Sequence, residues 1–307
     1  MERLTGLIAA PFTPLAASGE PDLSVIPDYA GVLKANGLRG AFVGGTTGES
    51  LSLTVPEREA LAEAWAAQAD ENFAVLVHVG GPSLPDCRRL ADHARRLGIT
   101  GFAAMGPNFF TPRRVEHLVD YCREIADAGG QTPFYYYHIP SRTGVYLPLV
   151  EFLRAGAECI PTLAGAKFTH EDLMDFIRCT QVGNGRFDLL FGRDEFLLAG
   201  LALGSTGAVG TTYNLAPALY QRVFEAFATG DFLSARAAQA QAAEMMAVYQ
   251  KHGGLRAGKE IMKMLGVAVG PPRKPVDAMS AEEVETLRAD LQRIGFFEYA
   301  LKGASDA

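Results

Sequence analysis

The sequence has no excess of basic charge: 28 Lys and Arg stand against 35 Asp and Glu, a formal net charge of -7 over 307 residues. Without a basic block to attract a polyanion, the balance argues against a nucleic-acid or anionic-membrane partner and for a small soluble substrate. Cysteine is scarce as well. Cys87, Cys122, Cys159 and Cys179 are widely spaced, form no CxxC pair and fall mostly in segments of helical period. Neither a zinc site nor a disulfide framework is signalled, and reduced thiols in a cytoplasm are expected. No apolar run is long enough to span a bilayer, and Met1-Glu2-Arg3-Leu4 lacks the basic segment and apolar core of an export signal. A cytoplasmic location without membrane attachment is the expectation. No GxGxxG follows the first strand-like segment, which weakens a dinucleotide-binding fold.

What is present is a rhythm. With 48% apolar and 21% charged residues the chain can bury a large core, and short β-branched, aromatic and small apolar runs alternate with longer stretches of helical period. Eight candidate strands are read at Leu4–Ala10, Gly40–Gly44, Phe73–Val79, Gly101–Met105, Pro133–His138, Leu163–Phe168, Asp188–Phe191 and Gly207–Gly210. Thr54 before Pro56-Glu57 reads as a capped helix start, and the same grammar is read after Ser83, Thr111 and Thr169. Eight strand–helix units with right-handed crossovers favour closure into a (β/α)₈ barrel, an α/β fold of the TIM type. The barrel is expected over residues 1–220. The alanine-rich remainder, 221–307, reads as a C-terminal helical extension packed on it, broken near Gly253-Gly254 and Gly270-Pro271-Pro272, with a structural or interfacial role.

Barrel chemistry gathers at the C-terminal strand ends. After the second strand, Gly44-Gly45-Thr46-Thr47-Gly48-Glu49-Ser50 offers close backbone approach, two hydroxyls and amides suited to a carboxylate, although such a loop can also be an ordinary turn. The fifth strand carries Tyr135-Tyr136-Tyr137, where alternation sends Tyr135 and Tyr137 to one face and Tyr136 to the other; packing is the plainer role for such a stripe. The sixth carries Gly165-Ala166-Lys167-Phe168-Thr169. An amine in an apolar barrel mouth loses hydration, which favours the neutral form that attacks a ketone. The competing reading is a lysine that reaches solvent or pairs with an acid. Asp194 and Glu195 after the seventh strand suit a polyhydroxylated substrate or, alternatively, cap a helix.

Together these segments resemble the pyruvate-dependent class I aldolases, the family of N-acetylneuraminate lyase and dihydrodipicolinate synthase, along essentially the whole chain. The resemblance rests most on Gly45-Thr46-Thr47-Gly48-Glu49, Tyr137 with Ile139-Pro140, Thr143-Gly144-Val145 and Lys167 in Gly-Ala-Lys-Phe-Thr. It implies that Lys167 condenses with a C2 ketone, that Tyr137 relays protons, and that Thr46, Thr47 and nearby amides such as that of Gly48 hold the carboxylate. Lys167, Tyr137 and Thr47 are thus the implied catalytic set, with Thr169 a further binding residue. Phe191-Gly192-Arg193-Asp194-Glu195 and Gly210-Thr211-Thr212-Tyr213-Asn214 resemble the lyase branch. There Gly192, Asp194, Glu195, Gly210 and Thr211 are implied to hold the hydroxylated tail of a sialic acid.

Arg142 departs from that branch and resembles the synthase, whose arginine contacts a semialdehyde carboxylate. Against the synthase, Asn108-Phe109-Phe110 stands where a relay tyrosine from a neighbouring subunit would be expected, and phenylalanine carries no proton. The lyase reading ranks first, another 2-keto acid aldolase or dehydratase second, and a keto-acid sensor without turnover third. The resemblance also implies a homotetramer, and because the lysine imine serves as electron sink, neither metal nor organic cofactor is required.

Overall fold

The computed structural model describes residues 3–303. The Met1-Glu2 start and the last four residues of the expected extension lie outside the described residues. Strands β1 (Gly6–Ala9), β2 (Gly40–Val43), β3 (Ala74–His78), β4 (Gly101–Met105), β5 (Phe134–His138), β6 (Leu163–Phe168), β7 (Asp188–Phe191) and β8 (Gly207–Gly210) pair in sequence order and close into a parallel barrel. Four of these match the sequence-derived bounds to the residue; β2 and β5 are shorter by one residue at one end, and β1 and β3 are shorter at both ends. β1 begins only at Gly6 because the Leu4 N–H turns away to the Asp188 carboxylate, 3.2 Å off.

Pleating sorts the side chains as expected. Ile8, Phe42, Leu76, Tyr135, Tyr137 and Val209 fill the barrel interior, whereas Tyr136 joins the apolar layer between strands and helices. That layer is covered by α1 (Ile26–Ala35), α2 (Val55–Ala66), α3 (Leu84–Leu97), α4 (Val115–Ala128), α5 (Pro140–Thr143), α6 (Leu149–Cys159), α7 (Leu173–Cys179), α8 (Leu197–Ala202) and α9 (Pro217–Ala228). α9 runs unbroken through residues 220 and 221. Beyond it come α10 (Phe232–Lys251), α11 (Leu255–Met264) and α12 (Ala281–Arg293), with the breaks at Gly253-Gly254 and before α12 where the sequence places them. No described helix is long and apolar enough to cross a membrane.

Two of the four capped starts form as read. Thr54 and Glu57 exchange bonds reciprocally at the head of α2, and Ser83 accepts from the Asp86 N–H at 3.4 Å. Thr111 and Thr169 do not cap. Thr111 precedes Pro112, which disfavours a helical conformation at that point, and α4 starts after Arg114 instead. Thr169 is still held by the sheet, its N–H donating to the His138 carbonyl at 2.8 Å, so Asp172 caps α7.

One buried ion pair joins the extension to the barrel mouth. Lys259 of α11 sits 2.7 Å from the Glu49 carboxylate, with both side chains almost fully enclosed. Its ammonium also donates to the carbonyls of Thr13 and Pro271 at 3.0 and 2.9 Å, and the Arg273 N–H donates to the other Glu49 oxygen at 2.7 Å. Glu49 is held there in a left-handed conformation, φ 55°, that a glutamate adopts at a cost. Lys259→Met leaves that carboxylate buried and unpaired, and we expect it to destabilise the fold by about 3–5 kcal/mol. Pairing it with Glu49→Gln should recover much of the loss; urea unfolding of both variants measures the difference.

Candidate active site

Lys167 projects from β6 into the C-terminal mouth, 4% exposed, flanked in the ladder by Tyr137 on β5 and Leu190 on β7. Its Nζ stands 4.3 Å from the ring centres of both Phe42 and Tyr137. Among the described residues it takes part in no ion pair within 4.0 Å and has no hydrogen-bond partner. The two plainer readings of this lysine, reaching solvent or pairing with an acid, are therefore not what the structure adopts. The amine lies on an apolar aromatic floor and faces a cavity of about 590 Å³.

The carboxylate-type loop after β2 forms one wall. Gly44 takes φ 65°, which a side chain resists, and the next residue, Gly45, lies against the Phe42 ring, 3.1 Å from where a Cβ would stand. The Thr46 hydroxyl meets the Tyr137 hydroxyl at 3.3 Å, and that of Thr47 meets Thr211 at 2.6 Å. Among the described residues, the N–H groups of Thr46 and Thr47 donate to no protein atom. Both threonines line the cavity that Lys167 faces, so this wall holds two amides without a protein partner and two hydroxyls, groups suited to an anion.

The adjoining wall, met at the contact of Thr47 with Thr211, carries the acids. Asp194 is buried, and its Oδ2 accepts from the N–H and hydroxyl of Thr212 at 2.8 and 2.7 Å. Since the Thr212 proton is committed there, the 2.6 Å contact with Tyr220 is donated by the tyrosine. Burial raises the Asp194 carboxyl to about 6, against the lowering effect of the Thr212 bonds. Neither Asp194 nor Glu195 caps a helix: the short turn Asp194–Phe196 has no side-chain cap, because Asp194 bonds across to the β8 side and Glu195 pairs with Arg193 at 3.0 Å. Gly192 and Gly210 have no room for a side chain; a Cβ would lie 2.2 Å from the Thr169 hydroxyl and 2.1 Å from Asp194 respectively.

Of the residues singled out in the sequence, Thr46, Thr47, Tyr137, Arg142, Lys167, Thr169, Gly192, Asp194, Glu195, Gly210 and Thr211 all line this cavity. Gly48 does not. It lies behind the loop, its carbonyl accepting from the Thr13 hydroxyl at 2.6 Å. Arg142 is exposed at the rim, and no described carboxylate lies within 4.0 Å of it, so a surface ion pair does not account for it.

The extension also reaches the cavity. Met246, Tyr249 and Gln250 of α10, with Leu255 and Val276, complete the wall. Their sequence shows ordinary helical spacing, so nothing local marked them. His78, at the interior-facing end of β3, belongs to no motif, and its strand-end position is the one signal the sequence offers for it.

With this geometry in place, the comparisons are specific. Residues 3–294 match the dihydrodipicolinate synthetase family. The chain belongs to that family. Within it, N-acetylneuraminate lyase of Rattus norvegicus is 39% identical over 97% of this chain and 95% of its own. Among solved structures, N-acetylneuraminate lyase from Proteus mirabilis superposes with a TM-score of 0.93 at 40% identity, covering 96% of this chain and all of its own. The sialic acid aldolase from Aliivibrio salmonicida gives 0.93 at 39%, covering 96% and 98%. For a dihydrodipicolinate synthetase family member, the buried acid of this wall has a direct consequence. As pH falls through about 6, Asp194 gains a proton and becomes a weaker acceptor. Affinity for a polyhydroxylated ligand is expected to fall on that acid limb, and a titration series in Asp194→Asn should be weak but flat across it.

Proposed function

We propose that the protein is a Schiff-base-forming lyase that cleaves N-acetylneuraminate to N-acetylmannosamine and pyruvate. The observation that carries this reading is the unpaired Lys167 amine on its aromatic floor, with amides and hydroxyls on one side and acids on the other. The lysine attacks the C2 ketone and water leaves, giving an iminium held by Thr46, Thr47 and their amides at the carboxylate. Asp194, Glu195, Gly192, Gly210, Thr211 and Thr169 position the hydroxylated tail, so an analogue lacking a hydroxyl leaves buried partners unpaired. Tyr137 relays the C4 hydroxyl proton, and the C3–C4 bonding electrons flow into the iminium. C4 departs as the aldehyde of N-acetylmannosamine. The remaining enamine is protonated at C3, and water hydrolyses the imine to pyruvate and free lysine.

The same proposal holds that the imine serves as electron sink without metal or organic cofactor, and that the protein works as a cytoplasmic homotetramer with the barrel and the helical extension as its two parts. A second reading, condensation of pyruvate with aspartate semialdehyde, draws on Arg142 at the rim. It ranks lower because Phe109 and Phe110, both strongly exposed, carry no transferable proton.

Borohydride reduction in the presence of pyruvate, followed by peptide mass mapping, should add a pyruvyl mass at Lys167. Lys167→Ala should abolish both the adduct and the release of N-acetylmannosamine. Turnover with aspartate semialdehyde alone would move the assignment to the synthase, and binding without turnover to a sensor.

A further inference from the structure

His78 ends β3 with its side chain turned inward, 2% exposed, directly behind the parts of the site that the proposed reaction uses. Its Nδ1 lies 2.9 Å from the Gly44 carbonyl. A carbonyl accepts and never donates, so Nδ1 carries the proton and Nε2 is the bare nitrogen. Gly44 opens the loop that presents Thr46 and Thr47, so the bond ties that loop to the rigid strand beside it. The imidazole also meets the Tyr137 ring edge-on, centres 5.6 Å apart at 88°, and lies 6.3 Å from Phe42. Phe42 and Tyr137 are the two rings on which the Lys167 amine rests.

One side chain therefore touches the carboxylate loop, the proton-relay tyrosine and the floor beneath the nucleophile. It is itself anchored from outside, where buried Arg58 donates to the carbonyls of His78 and Gly80 at 2.8 and 3.0 Å. We propose that His78 is a positioning residue for the reaction: its Nδ1–H fixes the Gly44 carbonyl, and thereby the anion-binding loop, relative to Lys167 and Tyr137. This rests on the imine reading above, with the loop as carboxylate site. Burial, reinforced by the neighbouring charges of Arg58 and Lys167, pushes the imidazole down to about 3, so the donor stays a neutral Nδ1–H at ordinary pH. A neutral donor holds the carbonyl without adding a charge to the floor of the site.

The test is pyruvate-dependent trapping and steady-state cleavage in wild type, His78→Phe and His78→Asn. Phenylalanine keeps a ring but has no donor, whereas the asparagine amide places an N–H where Nδ1 stands. Loss of one buried hydrogen bond weakens binding on the order of tenfold. His78→Phe should raise the half-saturating pyruvate and the KM for cleavage by about that factor, with kcat changed much less, because the loop holds ground state and transition state alike. His78→Asn should return both to within about threefold of wild type. Unchanged half-saturation in His78→Phe overturns the inference and leaves the imine reading standing. So does an equal loss in both variants that follows a lowered Tm, because that pattern marks a purely structural role. A wild-type protein without a Lys167 adduct overturns the imine reading and this inference with it.

Discussion

Closure of the sheet through the β1–β8 ladder, with Gly6 to Ala9 set against Gly207 to Gly210, is the constraint from which the geometry of the mouth follows. Parallel strands closed in sequence order bring all eight C-terminal ends to one rim. Closure also demands close backbone approach. A Cβ on Gly40 or Gly165 would lie 2.4 or 2.0 Å from a carbonyl oxygen of the next strand, so these glycines are where the barrel draws tight. Because the pleat alternates, Phe42, His78, Tyr137 and Lys167 all reach the interior at the same end. A buried, unpaired amine and its aromatic surroundings are assembled from four strands with no dedicated loop.

The loop over residues 44–50, the proposed anion site, is less self-sufficient. Its turn is held from three directions: by His78 on Gly44, by Thr13 on Gly48, and by Lys259 and the Arg273 backbone on Glu49. The last of these comes from the extension, more than 200 residues away in sequence. A buried ion pair of this kind is not a large source of stability, since desolvation offsets most of its attraction. What it supplies is a fixed place for Glu49, whose left-handed backbone persists because both carboxylate oxygens are engaged.

The cavity divides its chemistry by wall. The amine side is apolar and aromatic, with hydroxyls and free amides at its edge. The acid side is a network in which Tyr220, Thr212 and Asp194 pass donors in one direction and leave Asp194 buried but satisfied. The proposed substrate, a keto acid with a long hydroxylated tail, would meet amides at its carboxyl end and acceptors along its tail. Close packing of Gly192 and Gly210 against Thr169 and Asp194 leaves that wall no room for a further side chain.

The barrel, the order of its strands and the position of Lys167 were all legible in the chain, because period and strand-end position are local properties that survive folding. Four strand boundaries agreed to the residue, and Thr54 and Ser83 cap as their spacing implies. Thr111 and Thr169 carry the pattern of a cap without forming one, because Pro112 and the β6 ladder control the backbone there. The family motifs marked nearly every cavity residue on the barrel strands. They did not mark Met246, Tyr249 or Leu255, nor the Glu49–Lys259 pair, nor the bond from His78 to Gly44. Those depend on which segments distant in sequence meet in space and at what distance, which composition and periodicity do not encode. The residue types of the chemistry were thus set by the sequence alone; the tertiary structure decided how the anion loop is held, because that hold is made of contacts between elements far apart in the chain.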